Sequence, residues 1–215
     1  MPDTFSLVTP TDIVFGRGQI AQLSDRVTRL GKRVLIVHGR HPDRLARVFE
    51  SLNAVDIVQT MSVHKEPDLQ TLNAAIRQGK ALGVDLVIGI GGGSVMDSAK
   101  VLAAMLSSQT ELMSHLEVVG EGLPLSTQRL PLILIPTTSG TGAEATRNAV
   151  IDIPEAQRKV SLRDNLRCPT IVPGVLPCTQ GWMPFPRSSS RISRHAPICS
   201  PTCCAKRRSP KAWPR

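Results

Sequence analysis

Residues 89–100 read GIGGGSVMDSAK. Three consecutive glycines and a serine stand between an apolar run and a helical one. This is a composition with which a backbone can approach a phosphate. Glycine accepts positive φ and has no β-carbon to hold a ligand away. The unpaired amides at the start of the next helix, with its dipole, suit a pyrophosphate. Ser94 is placed to cap that helix and to donate to a phosphate, and Asp97, one turn further, can point into the same cleft. The spacing is neither G-x-G-x-x-G nor that of a P-loop. A tight strand-to-helix turn without a ligand is the competing reading of this stretch.

A second stretch, IPTTSGTGAEAT, covers residues 135–146. Pro136 ends a strand, and the hydroxyls of Thr137, Thr138, Ser139 and Thr141 alternate with Gly140 and Gly142. Such a loop offers donors to ribose or phosphate oxygens, although a hydroxyl-rich turn and helix cap would explain it as well. A third stretch, VHGRHPDR at residues 37–44, closes another strand. Sites that prefer NAD often carry an acid there to grip the ribose hydroxyls, whereas an arginine accommodates a 2′-phosphate. Gly39 and Arg40 occupy the place of the acid, which leans toward NADP, against the alternative of a loop with a solvated arginine. Lys159, in QRKVSL, reads by itself as a surface charge, and His38, His41, His64 and His115 have no metal-ligand spacing.

The elements that must position these residues alternate in type. Short or near-continuous apolar runs at residues 12–16, 33–39, 55–60, 85–94 and 130–138 read as strands. Helical spacing or end signals mark 19–30, closed by Gly31, then 43–52, 66–83 and 95–106. This alternation predicts an α/β fold, Rossmann-like, with a mostly parallel sheet and helices on both faces. Both unusual loops then fall at the carboxyl ends of strands, where such sheets bind ligands.

Composition divides the chain. The formal net charge is +9, yet residues 1–165 carry 17 basic and 17 acidic residues. The last 50 residues carry nine basic residues and no acid, all five cysteines, both tryptophans and nine of the 17 prolines. The expected organisation is an NAD(P)-binding α/β domain at 1–165. A basic Pro/Arg/Ser/Cys-rich tail at 166–215, irregular in structure, follows it. No apolar run is long enough to span a bilayer, no basic leader precedes an apolar core, and a cysteine-free body suits a reducing, cytoplasmic setting.

DLVIGIGGGSVMDSAK, LPLILIPTTSGTGAEATRNAVI and KVSLR, in this order, resemble the iron-containing (group III) alcohol dehydrogenase family over about residues 8–167. The resemblance implies an N-terminal nucleotide-binding domain followed by an all-helical domain that holds the metal. It implies that Gly91, Gly92, Gly93 and Ser94 form the pyrophosphate loop. Asp97 then lies near nicotinamide and substrate as the catalytic-site aspartate, and Thr137, Thr138 and Thr141 form the second coenzyme loop. Thr146 and Lys159 match positions that reach the coenzyme, and Gly39 falls where NAD-preferring members have Asp. The implied cofactors are NAD(P), with NADP favoured, and Fe²⁺ or Zn²⁺. The implied reaction is hydride transfer between an alcohol and an aldehyde or ketone. Glycerol dehydrogenase and maleylacetate reductase belong to the same group, and a homodimer is a further expectation.

The departure lies after Lys159, where the family's Gly-Leu/Met-Asp-Ala, with its metal-ligating Asp, and the later histidines are missing. Read from the third base of the Trp182 codon, the next two triplets are forced to GAT and GCC, which encode Asp-Ala. Cys203–Cys204 forces a Leu in the same frame, whereas the fourth triplet beyond the hidden Asp cannot encode His. A reading frame lost between Leu166 and Gln180 accounts for the tail, and with it for a missing helical domain, missing metal ligands and an inactive chain. The competing classes are a non-catalytic nucleotide-binding remnant, a basic nucleic-acid-binding tail at AKRRSPK, and a metal knuckle from His195, Cys199, Cys203 and Cys204. Of these, nucleic-acid binding is not favoured, because the body is electrically neutral.

Overall fold

A computed structural model describes residues 12–16, 18–52, 55–125, 128–163 and 170–171. The expectations placed on the tail from residue 172 onward, including the metal knuckle, the basic patch and the shifted frame, lie outside these residues. Five strands make one parallel sheet: β1 (Arg33–Gly39), β2 (Asp56–Val63), β3 (Leu86–Gly91), β4 (Leu132–Pro136) and β7 (Thr170–Ile171), in the order β2-β1-β3-β4-β7. The chain steps from β1 to β2 on one side and returns to β3 on the other. The β1/β3 boundary is therefore the switch point at which doubly wound sheets open a ligand crevice.

Alternate residues of each strand face opposite layers. Val34, Ile36, Leu86, Ile88, Ile90, Ile133 and Ile135 join one core with Leu23 and Val27 of α1 (Leu23–Leu30) and Val48 of α2 (Ala46–Ser51). Leu35, Val37, Val87, Leu132 and Leu134 join the other, under α3 (Leu69–Ala81) and α4 (Gly93–Met105). Burial on both faces is why these strands read as continuous apolar runs, and the doubly covered parallel sheet anticipated from the alternation is present.

The helix ends follow from single residues. Asp68 caps α3, its Oδ1 accepting from the Thr71 amide at 2.7 Å. Burial works against the Asp68 charge, but bonds from Thr71 and Lys65 outweigh it and hold the carboxyl below its ordinary value. At the other end Gly83 takes φ 63°, its amide reaches the Lys80 carbonyl at 3.1 Å, and the Val84 amide reaches Gly79 at 3.0 Å. That is a Schellman ending, which a left-handed glycine makes possible.

Two expectations change and one element is additional. Residues 12–16 form no strand, since only Ile13 is bridged and Asp12 instead ion-pairs with Arg26 at 2.7 Å. The helix expected over 66–83 begins at Leu69, after its cap. An antiparallel hairpin, β5 (Asn148–Ile153) with β6 (Arg158–Arg163), stands beside the parallel sheet. Its alternating Ala149, Ile151, Ile153, Val160 and Leu162 fill the core under α3 and α4.

Helix α4 lies close on β3. A β-carbon placed on Gly89 would sit 2.7 Å from that of Ala99 and 3.0 Å from a methyl of Leu134. Gly89→Ala is expected to cost about 1–3 kcal/mol through overpacking, read as a lower urea midpoint with an unchanged slope.

Candidate functional site at the carboxyl edge of the sheet

The β3 strand ends at Gly91, and Gly92 is the N-cap of α4 in extended geometry, φ −88° and ψ −168°. The Met96 amide already reaches the Gly92 carbonyl at 3.0 Å, so the amides of the first turn lie ahead of the helical ladder. Gly92, Gly93 and Ser94 are half-buried there, whereas Gly91 is buried under Val95. A β-carbon on Gly91 would lie 2.5 Å from a Val95 methyl, so packing alone requires that glycine. Ser94 is not the cap expected of it. It stands inside the helix, where its carbonyl accepts from Ser98 Oγ at 2.8 Å, and α4 has no side-chain cap.

The second loop meets the first. The Thr137 amide bonds the Gly91 carbonyl at 2.8 Å. β-Carbons built on Gly92 and Gly93 would lie 3.3 Å from Thr138 Oγ1 and 3.5 Å from Thr141 Cγ2. Thr138 and Thr141 are solvent-exposed. Amide donors and hydroxyls thus converge at the ends of two adjacent parallel strands.

Asp97, one turn into α4, accepts from the Val150 amide at 3.2 Å through Oδ2 and pairs with Lys100 Nζ at 3.2 Å through Oδ1. Burial pushes its carboxyl above the ordinary value of 3.8. The Lys100 charge and the Val150 bond pull it back in part, and the Glu66 charge adds to the rise. Thr146 Oγ1 donates to the Ala143 carbonyl at 3.2 Å and accepts from Lys100 at 3.2 Å. Lys159, on β6, is exposed and pairs with Glu66, whose hydrogen bond and charge raise its pKa. Glu66 therefore bears electrostatically on both Asp97 and Lys159.

Gly39 closes β1 beside the switch point, and a β-carbon there would meet nothing within 4 Å. Next to it, Arg40 Nε donates to His64 Nδ1 at 3.4 Å, and His64 Nε2 lies 3.3 Å from Ser62 Oγ. These residues sit at the carboxyl ends of β1 and β2.

Lys100 escaped the sequence reading. Its signal was a lone cation inside the apolar run of α4, three residues after an acid, on a helix otherwise buried from Val95 to Met105 except at Asp97. Among the described residues no three His, Cys, Asp or Glu side chains cluster as a metal cage. The described residues therefore do not fit the metal that the family resemblance implies. No helix among them is long and apolar enough to cross a membrane.

A doubly wound parallel sheet with a glycine-led helix start beside its switch point defines a Rossmann-like α/β class. A model of the family "iron-containing alcohol dehydrogenase" matches residues 10–172, and the chain belongs to that family. It is 34% identical over 174 residues to a mitochondrial hydroxyacid-oxoacid transhydrogenase of Caenorhabditis elegans, covering 76% of this chain and 36% of that one. It is 29% identical over 153 residues to the NADPH-dependent aldehyde reductase YqhD of Escherichia coli, covering 69% and 39%. The solved NADH-dependent butanol dehydrogenase A of Thermotoga maritima superposes with a TM-score of 0.65 at 27% identity, covering 80% of this chain and 44% of that one. The chain thus spans less than half the length of these relatives, and the helical metal domain expected of the family has no counterpart among the described residues.

Because the Asp97 pKa is raised, its contribution to stability is full below the ordinary value of 3.8 and is lost as pH rises through the higher folded value. Asp97→Asn has no such titration. The Tm of the native chain minus that of Asp97→Asn is expected to fall as pH rises from about 4 to about 7, measured by thermal melts across that range.

Proposed function

We propose that residues 1–165 form the coenzyme-binding part of an oxidoreductase that uses NADP in preference to NAD. The bound nicotinamide supplies the hydride exchanged between a small alcohol and its aldehyde or ketone. The amides of Gly92, Gly93 and Ser94 receive the pyrophosphate, with Gly91 setting the closeness of helix to strand. Thr137, Thr138 and Thr141 line the same edge with hydroxyls, and Thr146 and Lys159 border it from the hairpin side. Asp97 faces the nicotinamide end. The observation that carries this reading is the meeting of the two loops, with Thr138 Oγ1 3.3 Å from the position of a Gly92 β-carbon.

The NADP preference rests on Gly39 and Arg40. Nothing in the packing requires a glycine at 39, so the space beside it is open to a phosphate. Arg40, His64 and Ser62 stand together at that opening and offer a guanidinium, an imidazole and a hydroxyl. On this reading the chain by itself binds coenzyme without turnover of an alcohol on addition of Fe²⁺ or Zn²⁺, and its cysteine-free body suits a reducing, cytoplasmic setting.

Titration with NADPH and NADH, followed by coenzyme fluorescence, tests the reading. NADPH is expected to bind more tightly, and absence of binding by both would overturn it. Gly39→Asp is expected to leave folding intact and to weaken NADPH about tenfold, because a carboxylate faces the 2′-phosphate, with NADH changed by less than about threefold.

A further inference from the structure

We infer that Lys100 is a positioning residue whose ammonium ties Asp97, Thr146 and the first residue of β5 into one unit, so that helix α4 and the hairpin present a single fixed edge to the coenzyme. This rests on the coenzyme-binding reading above. An ammonium has three donors and no acceptor. Lys100 Nζ has three acceptors: Asp97 Oδ1 at 3.2 Å, Thr146 Oγ1 at 3.2 Å and the Asn148 carbonyl at 2.8 Å. The residue is 8% exposed, so water does not compete for these bonds.

The three acceptors come from separate segments. Asp97 belongs to α4, Thr146 ends the short turn at Ala143–Ala145, and Asn148 opens β5. Because Thr146 Oγ1 accepts from Lys100, its own proton goes to the Ala143 carbonyl at 3.2 Å, which fixes the hydroxyl rotor. The second oxygen of Asp97 takes the Val150 amide at 3.2 Å, so the carboxylate and the ammonium grip the same strand two residues apart. The charged groups that face Asp97 are Lys100 on its own helix and Glu66 from the segment before α3. Glu66 is paired with Lys159 of β6, which lies opposite Asp152 of β5.

A compact ammonium suits three convergent acceptors better than a planar guanidinium does. A lysine that only filled space would leave the hairpin unaffected by loss of its charge. A lysine that ties it makes the attachment depend on the charge and, through Asp97, on pH.

The test compares the full chain with Lys100→Met and with the neutral double variant Asp97→Asn/Lys100→Met. In Lys100→Met, hydrogen exchange at the β5 amides 148–153 is expected to speed up at least about tenfold, and NADPH affinity to weaken about tenfold. The gap in Tm between native and Lys100→Met is expected to widen from pH 5 to pH 8, as Asp97 is forced to ionise without its cation. The double variant, which leaves no orphaned carboxylate, is expected to fold where Lys100→Met does not. Its own gap from native is expected to narrow over the same range, because only the native chain still titrates Asp97, while the fast exchange and weak binding remain. Native-like exchange and affinity in the double variant, or a pH-independent gap in a folded Lys100→Met, would overturn the inference. If the native chain binds neither NADPH nor NADH, the coenzyme reading falls, and the exchange rates alone decide the tether.

Discussion

Close contact between helix α4 and strand β3 is the constraint on which the remaining geometry depends. Gly89 and Gly91 let the helix approach until Ala99 and Val95 touch the strand backbone. The helix axis is thereby set so that its first amides emerge at the carboxyl end of β3, one strand away from the loop after β4. A larger residue at either position would lift the helix and separate those amides from Thr138 and Thr141. The favourable term is burial of the α4 face, from Val95 through Met105, in the core below the sheet. Full burial of each large apolar side chain contributes roughly 1.5–3 kcal/mol, which exceeds the roughly 0.5–1 kcal/mol that a glycine costs in a strand interior.

The second constraint is a buried ion pair. A lysine and an aspartate inside a helix that is otherwise apolar are unfavourable unless their bonds are completed. Completion comes from outside the helix, from Thr146, Asn148 and Val150. The hairpin is therefore held where it satisfies charges, in addition to where Ile151 and Leu162 fill the core. Breaking such a pair from one side typically costs about 3–5 kcal/mol, whereas an exposed pair such as Lys159 with Glu66 contributes at most about 1 kcal/mol. A third link is backbone only: the Asp152 amide bonds the Pro67 carbonyl at 2.8 Å, and Asp68 bridges Asp152. The hairpin is thus fastened both to α4 and to the segment that leads into α3.

The parallel sheet was legible because burial on both faces leaves unbroken apolar runs, as in RVLIVHG and LPLILIP, and because glycine and aspartate mark the helix ends. The two loops were legible because glycines and hydroxyls are concentrated where strands stop. The hairpin was not, although NAVIDI alternates with period two, because only six residues of alternation precede a polar turn whose Gln157 adopts a left-handed φ of 50°. Lys100 was not legible for a related reason. A lysine near an aspartate on a helix reads as a solvated pair until the tertiary fold buries it, and no local pattern states that burial. Ser94 misled in the opposite direction, since a serine after glycines resembles a cap until the helix is seen to begin before it.

Two glycines of this chain have opposite physical grounds, and in the proposed function the difference bears on the choice of coenzyme. Gly89 is fixed by its neighbours, because any side chain there collides with Ala99. Gly39 has no such neighbour, and a side chain would enter open space at the end of β1. A glycine that packing does not demand leaves room and withholds charge. An aspartate in the same place would put a negative charge beside the Arg40 guanidinium and draw it away from an incoming anion. With glycine there, Arg40 Nε bonds His64 Nδ1 at 3.4 Å. Under the proposed NADP preference, the space that Gly39 leaves beside the Arg40 guanidinium is where a 2′-phosphate would lie.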